Sequence, residues 1–173
     1  MNIRLSQPQD LPTLMAIFHE AQRTIADLGF DQWQNGFHSE PVVLDDIALG
    51  RSYVAEREGI ICGTFVLVEA EPTYDTIYEG AWSAPDYIAI HRVAVPVAYR
   101  GSGVCDAIIS YAAAYAKARD KSALRIDTHR GNLPMRRMLE KRAFAYRGVI
   151  LLADGAPRVA YEKVCHENGD MCP

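Results

Sequence analysis

Ile88-Ala89-Ile90-His91-Arg92-Val93-Ala94-Val95-Pro96-Val97-Ala98-Tyr99-Arg100-Gly101-Ser102-Gly103-Val104-Cys105 decides the fold. An extended apolar run, Tyr87 to Val97, gives way at Gly103 to helical spacing, with Val104, Ile108, Tyr111, Ala112 and Tyr115 on one face. Glycine at 101 and 103 lets the chain turn sharply and brings peptide N–H groups close to whatever lies above the new helix N-terminus. A strand, a glycine turn and a fresh helix in that order make a phosphate cradle.

Working outward, Leu124 to Thr128 reads as another strand. A strand, a helix and a strand in succession predict a right-handed crossover with the two strands parallel. Asn132 is placed to cap a further helix, with Pro134 tolerated in its first turn and Met135, Met138 and Leu139 inward. Phe144 to Leu152 and Val159 to Val164 form a hairpin around Asp154-Gly155. Toward the N-terminus, Ile3 to Leu5 is a short edge strand. Leu11, Leu14, Met15, Phe18, Ala21, Ile25 and Leu28 mark an amphipathic helix, with Asp10 as N-cap and Gly29 as stop. Val42 to Leu49 is a shorter helix, and Tyr53 to Arg57 and Ile61 to Val68 are strands joined at Glu58-Gly59. Between Glu69 and Asp86 the periodicity dissolves into a loop carrying Tyr74, Tyr78 and Trp82. Two readings of that loop stay open, a binding surface or rings packed over a sheet end.

With 173 residues, 49% of them apolar, the chain is expected to form one domain over 1–165 followed by a tail, 166–173. No apolar stretch approaches the ~18 residues of a membrane helix, so no membrane partner and a cytoplasmic location are expected. Cys62, Cys105, Cys165 and Cys172 form no Cys-x-x-Cys pair, and neither a disulfide framework nor a metal site is expected; Cys165-His166…Cys172 reads as a terminus rather than a metal clip. Charge is segregated. Residues 1–91 hold four arginines, no lysine and fourteen acids, net −10, whereas residues 92–163 hold fourteen basic and six acidic groups, net +8. The positive half contains the cradle and suits a phosphorylated ligand; the negative half suits a cationic one.

Three ligands compete for a glycine turn opening a helix. A nucleoside-triphosphate loop requires Gly-Lys-Ser/Thr, and no lysine precedes Lys117. A dinucleotide fold requires three glycines in a first strand–helix unit, whereas this turn lies mid-chain. The remaining arrangement, with His91-Arg92-Val93-Ala94-Val95 before the turn, Arg100-Gly101-Ser102-Gly103-Val104-Cys105 as the turn and Asn132-Leu133-Pro134-Met135 opening the last helix, resembles the GNAT superfamily of acyl-CoA-dependent N-acyltransferases. More locally, Asp31-Gln32-Trp33-Gln34-Asn35-Gly36, Glu71-Pro72-Thr73-Tyr74 and the segment Arg125 to Asn132 resemble a bacterial branch whose acceptors are mostly unassigned. The resemblance implies a mixed α/β (α+β) fold, a mostly antiparallel sheet of about seven strands with one central parallel pair, flanked by about four helices.

It also implies acetyl-CoA as co-substrate without a metal, and transfer of acetyl to a primary amine of a small molecule or peptide. The amides of Gly101, Ser102, Gly103, Val104 and Cys105 would hold the pyrophosphate, Arg100 would add charge, Val93, Ala94 and Val95 would supply the backbone along the donor, and Asn132 and Met135 would lie near the pantetheine arm. Two positions depart from the family pattern: Cys105 replaces a Gly or Ala, and Leu139 stands where many relatives carry a tyrosine that protonates the departing thiolate. Tyr146 is the substitute phenol. An acyl-CoA-binding module without catalysis is the alternative that Leu139 keeps open.

An amine must lose a proton before attack, so a base is required. Imidazole as a side-chain type suits proton transfer near neutral pH, which makes His91 and His129 candidates, and Asp127 can orient an imidazole; strand alternation places His91 with Val93 and Val95, and Asp127 with His129. Each also has a plain structural reading. Glu69, Glu71 and Glu79 are rival bases or anchors for a cationic acceptor, and Trp33, Tyr74, Tyr78 and Trp82 form an acceptor wall or are simply buried. The basic face of Arg136, Arg137, Lys141 and Arg142 suits the 3′-phosphoadenosine better than nucleic acid, since the whole chain is acidic. Exposed apolar residues in the closing hairpin are compatible with a homodimer.

Overall fold

β-branched and aromatic runs bounded by glycine and proline become seven strands: β1 (Asn2–Leu5), β2 (Ser52–Arg57), β3 (Ile60–Val68), β4 (Tyr87–Ala94), β5 (Ala123–Thr128), β6 (Ala145–Leu151) and β7 (Pro157–Val164). Their order in the sheet is β1-β2-β3-β4-β5-β7-β6, mostly antiparallel, with β4 and β5 parallel as the crossover requires. Four α-helices accompany them among the described residues: α1 (Leu11–Asp27), α2 (Glu40–Ala48), α3 (Val104–Lys117) and α4 (Leu133–Lys141). The computed structural model describes residues 1–30, 32–34 and 38–165; Asp31, Asn35 and Gly36 of the sequence resemblance, and His166 and Cys172 of the tail, lie outside them. Internal contacts divide the chain into two units, Met1–Val68 with Ile90–Tyr111, and Glu69–Ala89 with the residues from Ala112 onward.

In the first unit, Glu58 and Gly59 adopt φ of 52° and 79°, the left-handed pair that closes a two-residue hairpin between β2 and β3. Successive residues of β2 face opposite sides. Val54 packs with Leu14, Ile17 and Phe18 of α1, Val43 of α2 and Ala94, while Tyr53 stacks on Phe65 at 5.3 Å and meets Tyr111 of α3 at 5.3 Å. Thus α1 and α2 cover one face and α3 the other. Trp33 joins the α1 side, 4.2 Å from His38, whose ring lies 4.5 Å from Phe18. Burial, reinforced by the charge of Arg92, pushes the His38 pKa down to about 3, so the ring is neutral at physiological pH.

Two local expectations are corrected here. Asp10 precedes α1 but makes no cap bond to it; its carboxylate accepts from Gln7 N at 2.8 Å and from Arg4 at 2.7 Å, closing the 3₁₀ turn Pro8–Asp10 instead. The central strand ends at Ala94 rather than Val97. Pro96 has no N–H to give a neighbouring strand, and the chain turns into a 3₁₀ segment, Val97–Tyr99.

In the second unit, β5 pairs along its length with β7, and residues Tyr87–Ala89 of β4 run parallel to it, Tyr87 opposite Ala123 and Ala89 opposite Arg125. The loop after β3 is anchored by one backbone bridge, Tyr78 to Val149 at 2.7 Å each way, and by side chains. Arg125 is 4% exposed, its guanidinium lying 4.1 Å from the Trp82 ring and 3.9 Å from the Tyr87 ring. It donates to Glu162 Oε1 at 3.1 Å and to the Ala84 carbonyl at 2.7 Å. Glu162 also accepts from Ser83 N at 2.8 Å and from the Ser83 hydroxyl, and it forms an ion pair with Arg147, whose Nε lies 3.2 Å away. Burial alone would raise the Glu162 pKa, but the bonds from Ser83 and Arg125 outweigh it and hold the group below its usual value. The loop is therefore clamped onto β5 and β7 by a desolvated ion cluster.

Candidate active site

The glycine turn has the form its residues demand. Gly101 and Gly103 take φ of 75° and 86°, a region costly for any other residue, and a Cβ at either would meet nothing within 4 Å. The side of the loop lacking side chains is therefore open. α3 begins immediately afterwards at Val104, and the first turn of a helix has N–H groups without intrahelical acceptors. Two contacts fix the loop from beneath: Ser102 Oγ donates to the Tyr99 carbonyl at 2.7 Å, and Arg57 donates to the Ser102 carbonyl at 2.9 Å. The Ser102 N–H donates to Tyr99 O at 3.3 Å. Arg100 is exposed and bends back to the Val95 carbonyl and Thr24 Oγ1, both at 3.4 Å. Cys105 is half-buried.

Behind the loop, Gly63 on β3 permits the close seating of α3: a Cβ there would stand 2.7 Å from Val104 Cγ1. Upstream, Arg92 is left-handed, with φ of 52°, which breaks strict alternation between His91 and Val93. The shared face assigned to His91, Val93 and Val95 is corrected accordingly. Arg92 is held by Asp46, 1% exposed, at 2.7 Å, and Asp46 is held in turn by Arg51 at 2.6 Å, so a buried carboxylate paired with two partly exposed guanidinium groups supports the kink. His91 and Val93 are half-buried and Ala94 is buried.

Acyl donors carrying a pyrophosphate fit such an open, backbone-lined turn, and comparison with known proteins identifies the family. The profile of the acetyltransferase (GNAT) family matches residues 15–144. The chain belongs to the GNAT acetyltransferase family. A GNAT-family acetyltransferase from Streptococcus agalactiae is 31% identical, with 96% of each chain covered and a TM-score of 0.86. The fold alone is shared with PaiA N-acetyltransferase from Thermoplasma acidophilum, solved in complex with coenzyme A (16% identity, 94% of this chain and 98% of that one, TM-score 0.71). The same holds for ribosomal-protein-alanine N-acetyltransferase from Brucella melitensis (20% identity, 95% and 99%, TM-score 0.65). No curated protein sequence matches the chain. As a GNAT enzyme it is an acyl-CoA-dependent N-acetyltransferase, and the family's donor is acetyl-CoA. Among the described residues no cluster of His, Cys, Asp or Glu is arranged to hold a metal ion, and no helix is long and apolar enough to cross a membrane.

The second unit of this GNAT chain carries the other candidates. Asn132 caps α4, its Oδ1 accepting from Met135 N at 3.2 Å, which leaves the amide nitrogen as a donor. His129 Nδ1 accepts from Gly131 N at 3.1 Å, so the neutral ring carries its proton on Nε2 and presents a donor there rather than a base. Asp127 is half-buried and accepts from Tyr74 Oη at 2.7 Å. Tyr74 is 1% exposed, which corrects its assignment to the acceptor wall. Trp82 donates from Nε1 to the Tyr74 carbonyl at 2.8 Å and packs on Arg125, so its indole belongs to the clamp. Glu71 Oε1 accepts from Thr73 N at 3.2 Å and Thr73 Oγ1 at 2.8 Å; Glu79 is exposed with φ of 58°, and Tyr78 is 47% exposed where it bridges Val149. Glu69 pairs with Arg119 at 3.1 Å on the surface.

Leu139 is wholly buried, so its position in α4 is filled by packing. Tyr146 is 47% exposed on β6 and meets Tyr161 edge to face at 5.9 Å. Tyr161 escaped the sequence reading. Its phenol is buried on β7, accepts from Arg136 Nε at 3.0 Å and donates to Glu140 at 3.2 Å; burial raises its pKa. Alternation of Val159 and Tyr161 on one face of β7 was the available signal.

Proposed function

We propose that this enzyme moves acetyl from acetyl-CoA to a primary amine of a small molecule or peptide by direct attack in a ternary complex, with residues 1–165 acting as one catalytic domain. The observation that carries the reading is the pair of left-handed glycines, open on their Cβ side, at the mouth of α3. Acetyl-CoA supplies a thioester whose carbonyl carbon accepts the amine lone pair and whose sulfur departs with the C–S electron pair. The N–H groups of Gly101, Gly103, Val104 and Cys105 hold the pyrophosphate, aided by the α3 dipole and Arg100. Backbone of Val93, Ala94 and Val95 runs beside the thioester, the amide nitrogen of Asn132 and the Met135 side chain serve the pantetheine arm, and Arg137 and Lys141 suit the 3′-phosphate. Asp127 takes the first proton from the acceptor ammonium; Tyr146 is the phenol proposed to return one to sulfur. Glu71, Glu79, Tyr78 and Trp82 belong to the acceptor side in this reading, where acidic groups favour a cation. His91 and His129 hold supporting positions, His129 as a donor. The protein acts away from membranes and nucleic acid, in the cytoplasm.

Calorimetric titration with acetyl-CoA, followed by release of free thiol over a panel of amines, tests the proposal. Saturable donor binding with amine-dependent thiol release is expected. Donor binding with thiol release indifferent to every amine would refute transfer to an amine.

A further inference from the structure

Asp127 is tied to a neutral partner, the Tyr74 phenol. Arg125 lies two residues earlier on β5, and its guanidinium is spent on Glu162 and the Ala84 carbonyl. A carboxylate paired with a guanidinium loses basicity; one that accepts from a phenol keeps its charge without a competing cation. Among the described residues, the hydrogen bond from Tyr74 is the one side-chain bond Asp127 makes. It joins positions 53 residues apart. Tyr74 reaches it from a 3₁₀ turn, Pro72–Tyr74, whose start Glu71 caps and whose carbonyl Trp82 holds. Its ring is wedged between Trp82 at 5.5 Å and Tyr87 at 5.9 Å.

Resting on the reading of Asp127 as base, the geometry points to Tyr74 as its positioning residue: the buried phenol fixes Oδ1 and so reserves Oδ2 for the proton of the acceptor ammonium. In that step the N–H bond breaks, an O–H bond forms on Oδ2, and the electron pair left on nitrogen makes the new C–N bond. Tyr74 itself neither gains nor loses a proton. Burial, with the adjacent charge of Asp127, raises the phenol pKa well above its ordinary value, which keeps Tyr74 a donor throughout the working range.

The test is a double-mutant cycle on the full-length enzyme, with acetyl-CoA and, in parallel, spermidine, tryptamine and an alanine-initiated peptide as acceptors. Asp127→Asn is expected to lower kcat by about 100-fold. Tyr74→Phe, which keeps the ring and its packing, is expected to lower kcat about 5–10-fold with the acetyl-CoA KM unchanged. The Tyr74→Phe/Asp127→Asn enzyme is expected to be no slower than Asp127→Asn alone. If the Tyr74→Phe loss multiplies onto that of Asp127→Asn, or if Tyr74→Phe leaves kcat intact, Tyr74 has no positioning role. Wild-type enzyme that releases no thiol with any of the three amines strikes the primary-amine reading and takes this inference with it. Melting curves and donor titrations of each variant separate these outcomes from misfolding.

Discussion

The glycine turn at Arg100–Cys105 and the clamp around Arg125 are built on opposite principles. The turn is local and acts through main chain: six consecutive residues in which two glycines leave one side open. The clamp is assembled from distant positions and is almost dry, with Glu162 at 1% and Arg125 at 4% exposure. A site of the first kind tolerates change in stability but not in shape. One of the second kind is sensitive to the loss of any charge, because the partner left behind stays desolvated.

Removing a charge from the clamp should therefore have the largest effect. Glu162→Ala leaves Arg125 buried without its counter-ion and is expected to cost about 3–5 kcal/mol, read as a lowered Tm, with donor affinity retained by whatever protein remains folded. Acid sensitivity comes next, from the core of the first unit. Unfolded His38 takes a proton near pH 6.5, whereas folded His38 refuses one until about pH 3. Its contribution is full above about 6.5, declines as pH drops through that window and levels off below about 3, a loss on the order of a few kcal/mol. Denaturant titrations across that range should show a shallower decline in His38→Phe than in wild type.

In the turn the balance reverses. Gly103→Val places a branched side chain at φ of 86° and fills the open side of the loop, and acetyl-CoA affinity should fall about 100-fold while stability drops by roughly 1 kcal/mol. Calorimetry and thermal melts on the same sample distinguish the two changes. The smallest effect belongs to the surface pair: Glu69→Gln, opposite a 40%-exposed Arg119, should alter stability by under about 1 kcal/mol, and its difference from wild type should vanish in high salt.

The same contrast explains what could be read in advance. Glycine spacing, the hydrophobic runs of β2 to β5 and the Asn132 cap are properties of adjacent residues, and they led directly to the crossover and the turn. Asp10 misled because its carboxylate serves the turn before α1, a choice that depends on Arg4 reaching across. Tyr74 misled more deeply. In a loop without periodicity a tyrosine resembles a surface aromatic, and only its placement against Asp127, 53 positions away, shows a buried donor. Tyr161 and the Arg125–Glu162 pair were hidden for the same reason: side-chain partnerships across strands depend on register, which Ala123↔Val164 and its neighbours set in space.

Gly63 gives the cradle an unseen adjusting screw. Because the mouth of α3 rests where β3 lacks a side chain, even one methyl group there would push Val104 outward and tilt every amide that follows, with no change in any ligand-facing atom. The height at which a diphosphate rides is thus tuned from the rear of the sheet, and relatives with identical turns can differ in grip through a single carbon placed some forty residues upstream.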